Sequence, residues 1–164
     1  MRMSNNRMRA GTMSSGLMAG LLYGWTVSVI PGLRRIPDAT YIATMQDINR
    51  AIINPAFIVP FMGLPVQLAA GALARFRDGD PRRGWLMAGA AATYAAGVLG
   101  VTLGRNVPLN NALEAFALNS ASNTAIAARR HSYESAWNRW HYLRTAASVA
   151  AFALVATAET SEAD

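Results

Sequence analysis

The chain has 164 residues, of which 52% are hydrophobic and only 15% charged, with a formal net charge of +6 and no cysteine. That length fits one domain, and the lack of cysteine excludes a disulfide framework and thiolate chemistry. A basic balance also suits nucleic acid, but such proteins set their cations along one solvated face with few long apolar runs; here fifteen basic residues, all arginine, punctuate apolar blocks, so the expected partner is membrane lipid and not nucleic acid. Arginine without lysine reads as the composition of a GC-rich bacterial genome.

The first twelve residues form a basic tail with Arg2, Arg7 and Arg9. Met13 to Leu33 then runs 21 residues without a charge, enough for a helix to cross the hydrocarbon of a bilayer. The block is longer than a leader's apolar region and ends in "IPGLRRIPD" with no small-residue cleavage pattern, so it is expected to be a retained helix. Gly16, Gly20 and Gly24 lie four apart within it, which suits close helix packing or a homo-oligomer.

"IPDATYIATMQDINRAII" opens with Pro37-Asp38, a helix-start signal, and Ile42, Met45, Asn49 and Ile52 recur at helical spacing. The second apolar block, Ala51 to Ala74, has 24 uncharged residues. Pro55, Pro60 and Pro65 recur within it, and each removes an amide donor, so a bend is expected. The link "RFRDGDPRR" joins it to a third block, Gly84 to Gly104, of 21 uncharged residues. Arginine density in this link and in the basic tail puts both on the cytoplasmic side of a cell (plasma) membrane.

In "GRNVPLNNALE", Asn106 stands before Pro108, which reads as the first turn of a new helix carrying Asn110 and Glu114 on one face. "NSASN" breaks that helix, and a further helical run feeds into the last apolar block, Thr145 to Ala158. Fourteen residues cover only about 21 Å as a helix, so to span, this helix must draw in "WNRWHYLR". An acidic tail, residues 159–164, closes the chain. The expectation is an all-α integral membrane four-helix bundle over residues 13–158, with additional helices on the outer side and both termini cytoplasmic.

Glu134, Trp137, Asn138, His141 and Thr145 fall on one face of the last helix, with Arg144 at its edge. An ionisable group beside a bilayer needs a partner, so the stripe is a candidate site. Metal ligation is not expected: no HxxxH, HxH or ExxH pattern occurs. Gly-rich phosphate or dinucleotide loops and a Gly-x-Ser-x-Gly elbow are absent too.

The segments "YGWTVSVIPGL", "MQDINRAIINPAF", "GRNVPLNNALEAF" and "WNRWHYLRTAAS" together resemble the anthrone oxygenase family, over Leu17 to about Ala156. The resemblance implies small four-helix membrane proteins that oxidise anthrones to anthraquinones with O2 and need no metal, haem or flavin. The partners it implies are a hydrophobic aromatic small molecule and O2. Chemistry then suggests His141, Asn138, Arg144 and Asn110 as catalytic residues, and Trp137, Trp25, Gln46, Asn49, Asn54, Asn106 and Glu134 as substrate contacts. The competing reading is a non-catalytic membrane subunit whose polar stripe serves helix packing or partner docking.

Overall fold

A computed structural model describes the backbone of residues 2–160 and the side chains from Gly11 onward. The basic side chains expected at residues 2, 7 and 9, and the acidic tail beyond Thr160, lie outside what is described. Five long helices make up the chain. α1 covers residues 2–33, with a π-helical stretch at Trp25–Val29. α2 is Asp38–Ala51, α3 Pro55–Arg77, α4 Pro81–Glu114 and α5 Asn123–Thr160.

α1, α3, α4 and α5 pack as a ring in which each helix touches the one before it and the one after it, an up-down-up-down bundle. The tight α3–α4 turn is made by Gly79 at φ 78° and by Asp80, whose carboxylate accepts from the Arg83 amide at 3.1 Å. Thr12 Oγ1 donates to Glu159 Oε1 at 2.7 Å, so the start of α1 and the end of α5 meet. At the opposite end, the cap end, α2 lies across α5 and the last turns of α4.

α1 from Gly11 to Leu33, α3 and α4 are each long and apolar enough to cross a membrane. Their outer faces carry exposed Met13, Leu17, Val27, Val59, Val66, Leu73, Trp85 and Leu103, side chains that lipid and not water would cover. α5 falls short by hydropathy, as its fourteen-residue apolar block implies. Its exposed face changes from polar His131, Ser135 and Arg139 to apolar Tyr142, Leu143 and Val149, with the change falling beside His141. The molecule is an all-α membrane bundle with a helical cap.

Two apolar cores divide it. The lower one joins Leu22, Phe61, Leu64, Leu68, Met87, Tyr94, Val98 and Val155 from all four bundle helices. The upper one joins Ile30, Tyr41, Ile42, Met45, Leu113, Ile126, Tyr133 and Trp137 beneath α2. Arg130, mostly buried, locks the α1–α2 link to α5. It donates to the carbonyls of Ile36 at 2.6 Å and Leu33 at 3.2 Å, and pairs with Asp38 at 2.8 Å and Glu134 at 3.1 Å.

One expected boundary is corrected. Pro108 does not open a new helix, and Asn106 makes no capping bond with its side chain. The third span and the helix after it are one continuous helix, because the chain winds as π-helix over Thr102–Asn106 and the Val107 amide reaches back to Thr102 O. The same occurs in α1, where the π stretch ends just before Pro31 and the Ile30 amide bonds Trp25 O. A proline ring collides with the carbonyl one α-turn back; a widened turn ahead of it relieves the clash without breaking the helix. α3 also stays helical through Pro60 and Pro65.

Candidate functional site

Between the two cores sits a cavity of about 400 Å³, walled by α1, the end of α2, the start of α3, and α4 and α5. Two of the three described π-helical stretches feed it: Trp25 comes from Trp25–Val29, and Thr102, Leu103 and Asn106 from Thr102–Asn106, while Ala95–Gly100 does not reach it. α5 contributes Trp137, His141 and Arg144. Phe57 and Phe61 give an aromatic wall, with rings stacked at 4.8 Å. The rim is lipid-like on one side, with exposed Ile58, Met62 and Leu103, and charged on the other, where Arg50 and Glu114 pair at 2.5 Å.

His141 is fully buried. Its Nδ1 faces the Arg144 guanidinium, with Nε at 3.2 Å and Nη2 at 3.1 Å. A guanidinium only donates, so Nδ1 accepts and the ring proton of the neutral imidazole sits on Nε2. The other side of the ring agrees. Nε2 lies 3.0 Å from Thr26 Oγ1, 3.3 Å from Thr145 Oγ1 and 3.2 Å from Leu22 O. Both threonine hydroxyls spend their protons on carbonyls, Thr26 on Leu22 O and Thr145 on His141 O, and so accept from Nε2–H. The imidazole also stacks on Trp137, centroids 4.9 Å apart and 8° from parallel.

Arg144 touches Nδ1 of His141, donates to Thr102 Oγ1 at 3.3 Å and lies over the Trp137 ring at 5.1 Å. No carboxylate pairs with it among the described residues. A cation at membrane depth without a counter-ion is costly, and this one lines the cavity.

Above it runs a hydrogen-bonded line. Asn49 Nδ2 donates to the Tyr133 hydroxyl at 3.3 Å, and Tyr133 donates to Asn110 Oδ1 at 2.9 Å. Burial pushes the Tyr133 phenol well above its ordinary range, so it keeps the proton it donates. Trp137 Nε1 donates to the same oxygen at 2.9 Å. Asn106 Nδ2 donates to Trp137 O at 3.3 Å, while its Oδ1 is buried without a partner, as is Trp25 Nε1. The arrangement offers a flat apolar slot with amide groups above and a cation beside a neutral base.

The profile of the anthrone oxygenase family matches residues 50–154. The chain belongs to the anthrone oxygenase family. No curated protein and no solved structure matches it. The family match takes in Asn106, Asn110, Trp137, His141 and Arg144 and stops short of Trp25 and Asn49, which reach the same cavity from α1 and α2.

In this anthrone oxygenase family member, four residues singled out from the sequence lie outside the cavity. Asn54 caps α3, its Oδ1 accepting from the Phe57 amide at 3.1 Å. Gln46 ties α2 to the end of α4 through the carbonyls of Leu113 at 2.9 Å and Phe116 at 3.2 Å. Glu134 pairs with Arg130 and Arg34. Asn138 lines a separate groove with Glu134 on the other side of α5. The expected stripe is about 100° wide on a helical projection. The cavity takes the edge bearing Trp137, His141 and Arg144, whereas Glu134, Asn138 and Thr145 turn toward α1. Thr26, Thr102 and Tyr133 were not anticipated as members of the site. Nothing in the sequence set the two threonines apart from the other hydroxyl residues of their apolar blocks, such as Ser28 and Thr93.

Proposed function

We propose that the protein is a membrane-embedded oxygenase that converts an anthrone-like polycyclic phenol to a quinone with O2, without a cofactor of its own. The observation that carries this reading is Arg144: a cation with no carboxylate partner among the described residues, set against a neutral imidazole in an aromatic-walled cavity. Such a pair suits a substrate that arrives neutral and becomes an anion. The cavity volume falls within the usual range for small-molecule sites, which favours this reading over a stripe given wholly to helix packing.

An anthrone has an acidic methylene across the central ring from its ketone, conjugated with it through the two flanking arene rings. The proton therefore leaves one edge of the ring and the negative charge gathers on the oxygen at the other. As the substrate oxygen approaches Arg144, the guanidinium turns part of its fork toward it and uncovers Nδ1 of His141. Nδ1 takes the methylene proton, and the enolate oxygen is held by Arg144 with the amides of Asn110 and Asn49 nearby. The anthrolate passes one electron to O2, and the radical and superoxide join in a C–O bond. The imidazolium returns its proton to the peroxide. Loss of the remaining C–H proton, with O–O cleavage, leaves a carbonyl and water. One oxygen atom ends in the quinone and the other in water, so no external reductant is required.

The expected setting is a bacterial cell membrane with both termini on the cytoplasmic side, which places the cavity at the outer boundary where a greasy substrate and O2 are both concentrated. The test is oxygen uptake and quinone absorbance with dithranol or emodin anthrone. His141→Ala lowers the rate by roughly 100-fold or more, the usual worth of a positioned base. Turnover equal to that of the unaltered protein removes His141 from the mechanism.

A further inference from the structure

Asn138 is only 6% exposed and has no hydrogen-bond partner among the described residues, although it sits on the most polar stretch of the longest helix. Its amide is not among the fully enclosed polar atoms that lack a partner, so the small exposed part of the residue leaves the amide reachable by a ligand from outside. The side chain lines a groove with Arg34, His131, Ser135, Arg139 and Tyr142, apart from the cavity described above.

Depth and charge identify the ligand. Arg139, exposed, lies 5.5 Å from the centre of the Trp140 ring, and Arg105 from α4 lies 5.0 Å from the same ring. Arg34, at the end of α1, donates to the Tyr142 hydroxyl at 3.3 Å. Arginines from three helices therefore stand at one height, immediately beside the first exposed apolar residues of α5, Tyr142 and Leu143. That is the headgroup level of a bilayer. The one carboxylate lining the groove, Glu134, is paired with Arg130 at 3.1 Å and Arg34 at 3.7 Å. Arg139 pairs with no carboxylate among the described residues.

We infer that this groove between α1 and α5 binds the phosphodiester of an anionic phospholipid. Asn138 Nδ2 donates to one phosphate oxygen, and Arg139 and the outward side of Arg34 hold the others. The acyl chains then run down over Tyr142 and Leu143, apolar surface that a free phosphate would leave bare.

The test uses the full chain in nanodiscs of phosphatidylcholine, with or without phosphatidylglycerol, read by thermal unfolding and by native mass spectrometry of retained lipid. The protein is expected to retain phosphatidylglycerol and to melt about 3 °C higher with it, as a ligand that binds only the folded state requires. Asn138→Leu and Arg139→Gln should each abolish both effects, while Arg82→Gln, in the turn at the other end, leaves them intact. If Asn138→Leu fails to fold, Asn138→Asp keeps the shape and repels the phosphate. Selectivity lost in Arg139→Gln but kept in both Asn138 variants would reduce the site to a general basic belt and overturn the proposal. So would millimolar inorganic phosphate reproducing the rise in phosphatidylcholine discs, which would assign the groove to a free anion.

Discussion

His141 and Arg144 restrain each other. The guanidinium covers the lone pair that a base would use; in the proposed mechanism it leaves for something more negative than an imidazole nitrogen. This makes the base available when a substrate able to become an anion is in place. Arg144→Lys keeps the charge but not the fork, so one ammonium cannot touch Nδ1, Thr102 and the face of Trp137 together. The rate with an anthrone should fall about 10-fold or more in Arg144→Lys as well as in Arg144→Gln; steady-state kinetics showing the Lys variant at the unaltered rate and only the Gln variant slow would mean that charge alone matters. Thr26→Val removes one of the acceptors of Nε2–H but spares Leu22 O, and a loss smaller than that of His141→Ala is expected. At this scale the sequence was partly legible. His141, Arg144, Asn110 and Asn49 could be picked out as polar residues next to apolar blocks. Asn138 and Glu134 could not be told apart from them, because helical spacing gives a face to within about 100° and the cavity takes less than that.

Among the helices, two of the three described π-helical stretches, Trp25–Val29 and Thr102–Asn106, decide where the site residues point; the third, Ala95–Gly100, supplies none of them. Each of the two stands before a proline, Pro31 or Pro108, and each supplies cavity side chains. Pro108→Ala restores a donor and lets α4 rewind as plain α-helix, which would rotate Thr102 and Asn106 off the cavity. Unfolding temperature should rise or hold while oxygen uptake falls about 10-fold; an unchanged rate would mean that the turn has no part in positioning. The sequence could not reveal this, since an asparagine shortly before a proline reads equally as a helix start or as a proline inside a helix. The glycines separate in the same way. A Cβ at Gly97 would meet the Ala147 Cβ at 2.5 Å, so α4 and α5 touch there and Gly97→Ala should destabilise by about 1–3 kcal/mol. Gly20 has nothing within 4 Å, so Gly20→Ala should be neutral or stabilising by about 0.5–1 kcal/mol, as thermal unfolding of both variants would show. Within the chain, the glycines of α1 spaced four apart pack closely at Gly16, which faces Phe152 at 3.3 Å, while Gly20 and Gly24 face open space.

For the whole molecule, span lengths and the shortness of the last apolar block were readable from charge-free runs, and the bundle follows from them. The capping role of α2 and the Arg130 lock were not, because they depend on contacts across more than ninety residues. Arg130→Ala leaves Asp38 without its cation, Glu134 with Arg34 alone and the carbonyls of Ile36 and Leu33 without a donor, and should cost about 1–3 kcal/mol, read by thermal unfolding. The lack of native cysteine makes topology easy to read: single cysteines at Arg82 and Asn119 should label from opposite sides of the membrane, and labelling of both from one side would contradict a crossing by α4. Both cores and both prolines serve one arrangement, a neutral imidazole and an unpaired guanidinium held at the edge of the bilayer. The most direct measurement is oxygen consumption by the purified protein with emodin anthrone, beside the Arg144→Gln variant. One O2 consumed per quinone formed, and lost in the variant, is the predicted result; a rate no faster than buffer, or equal in the two proteins, would contradict it.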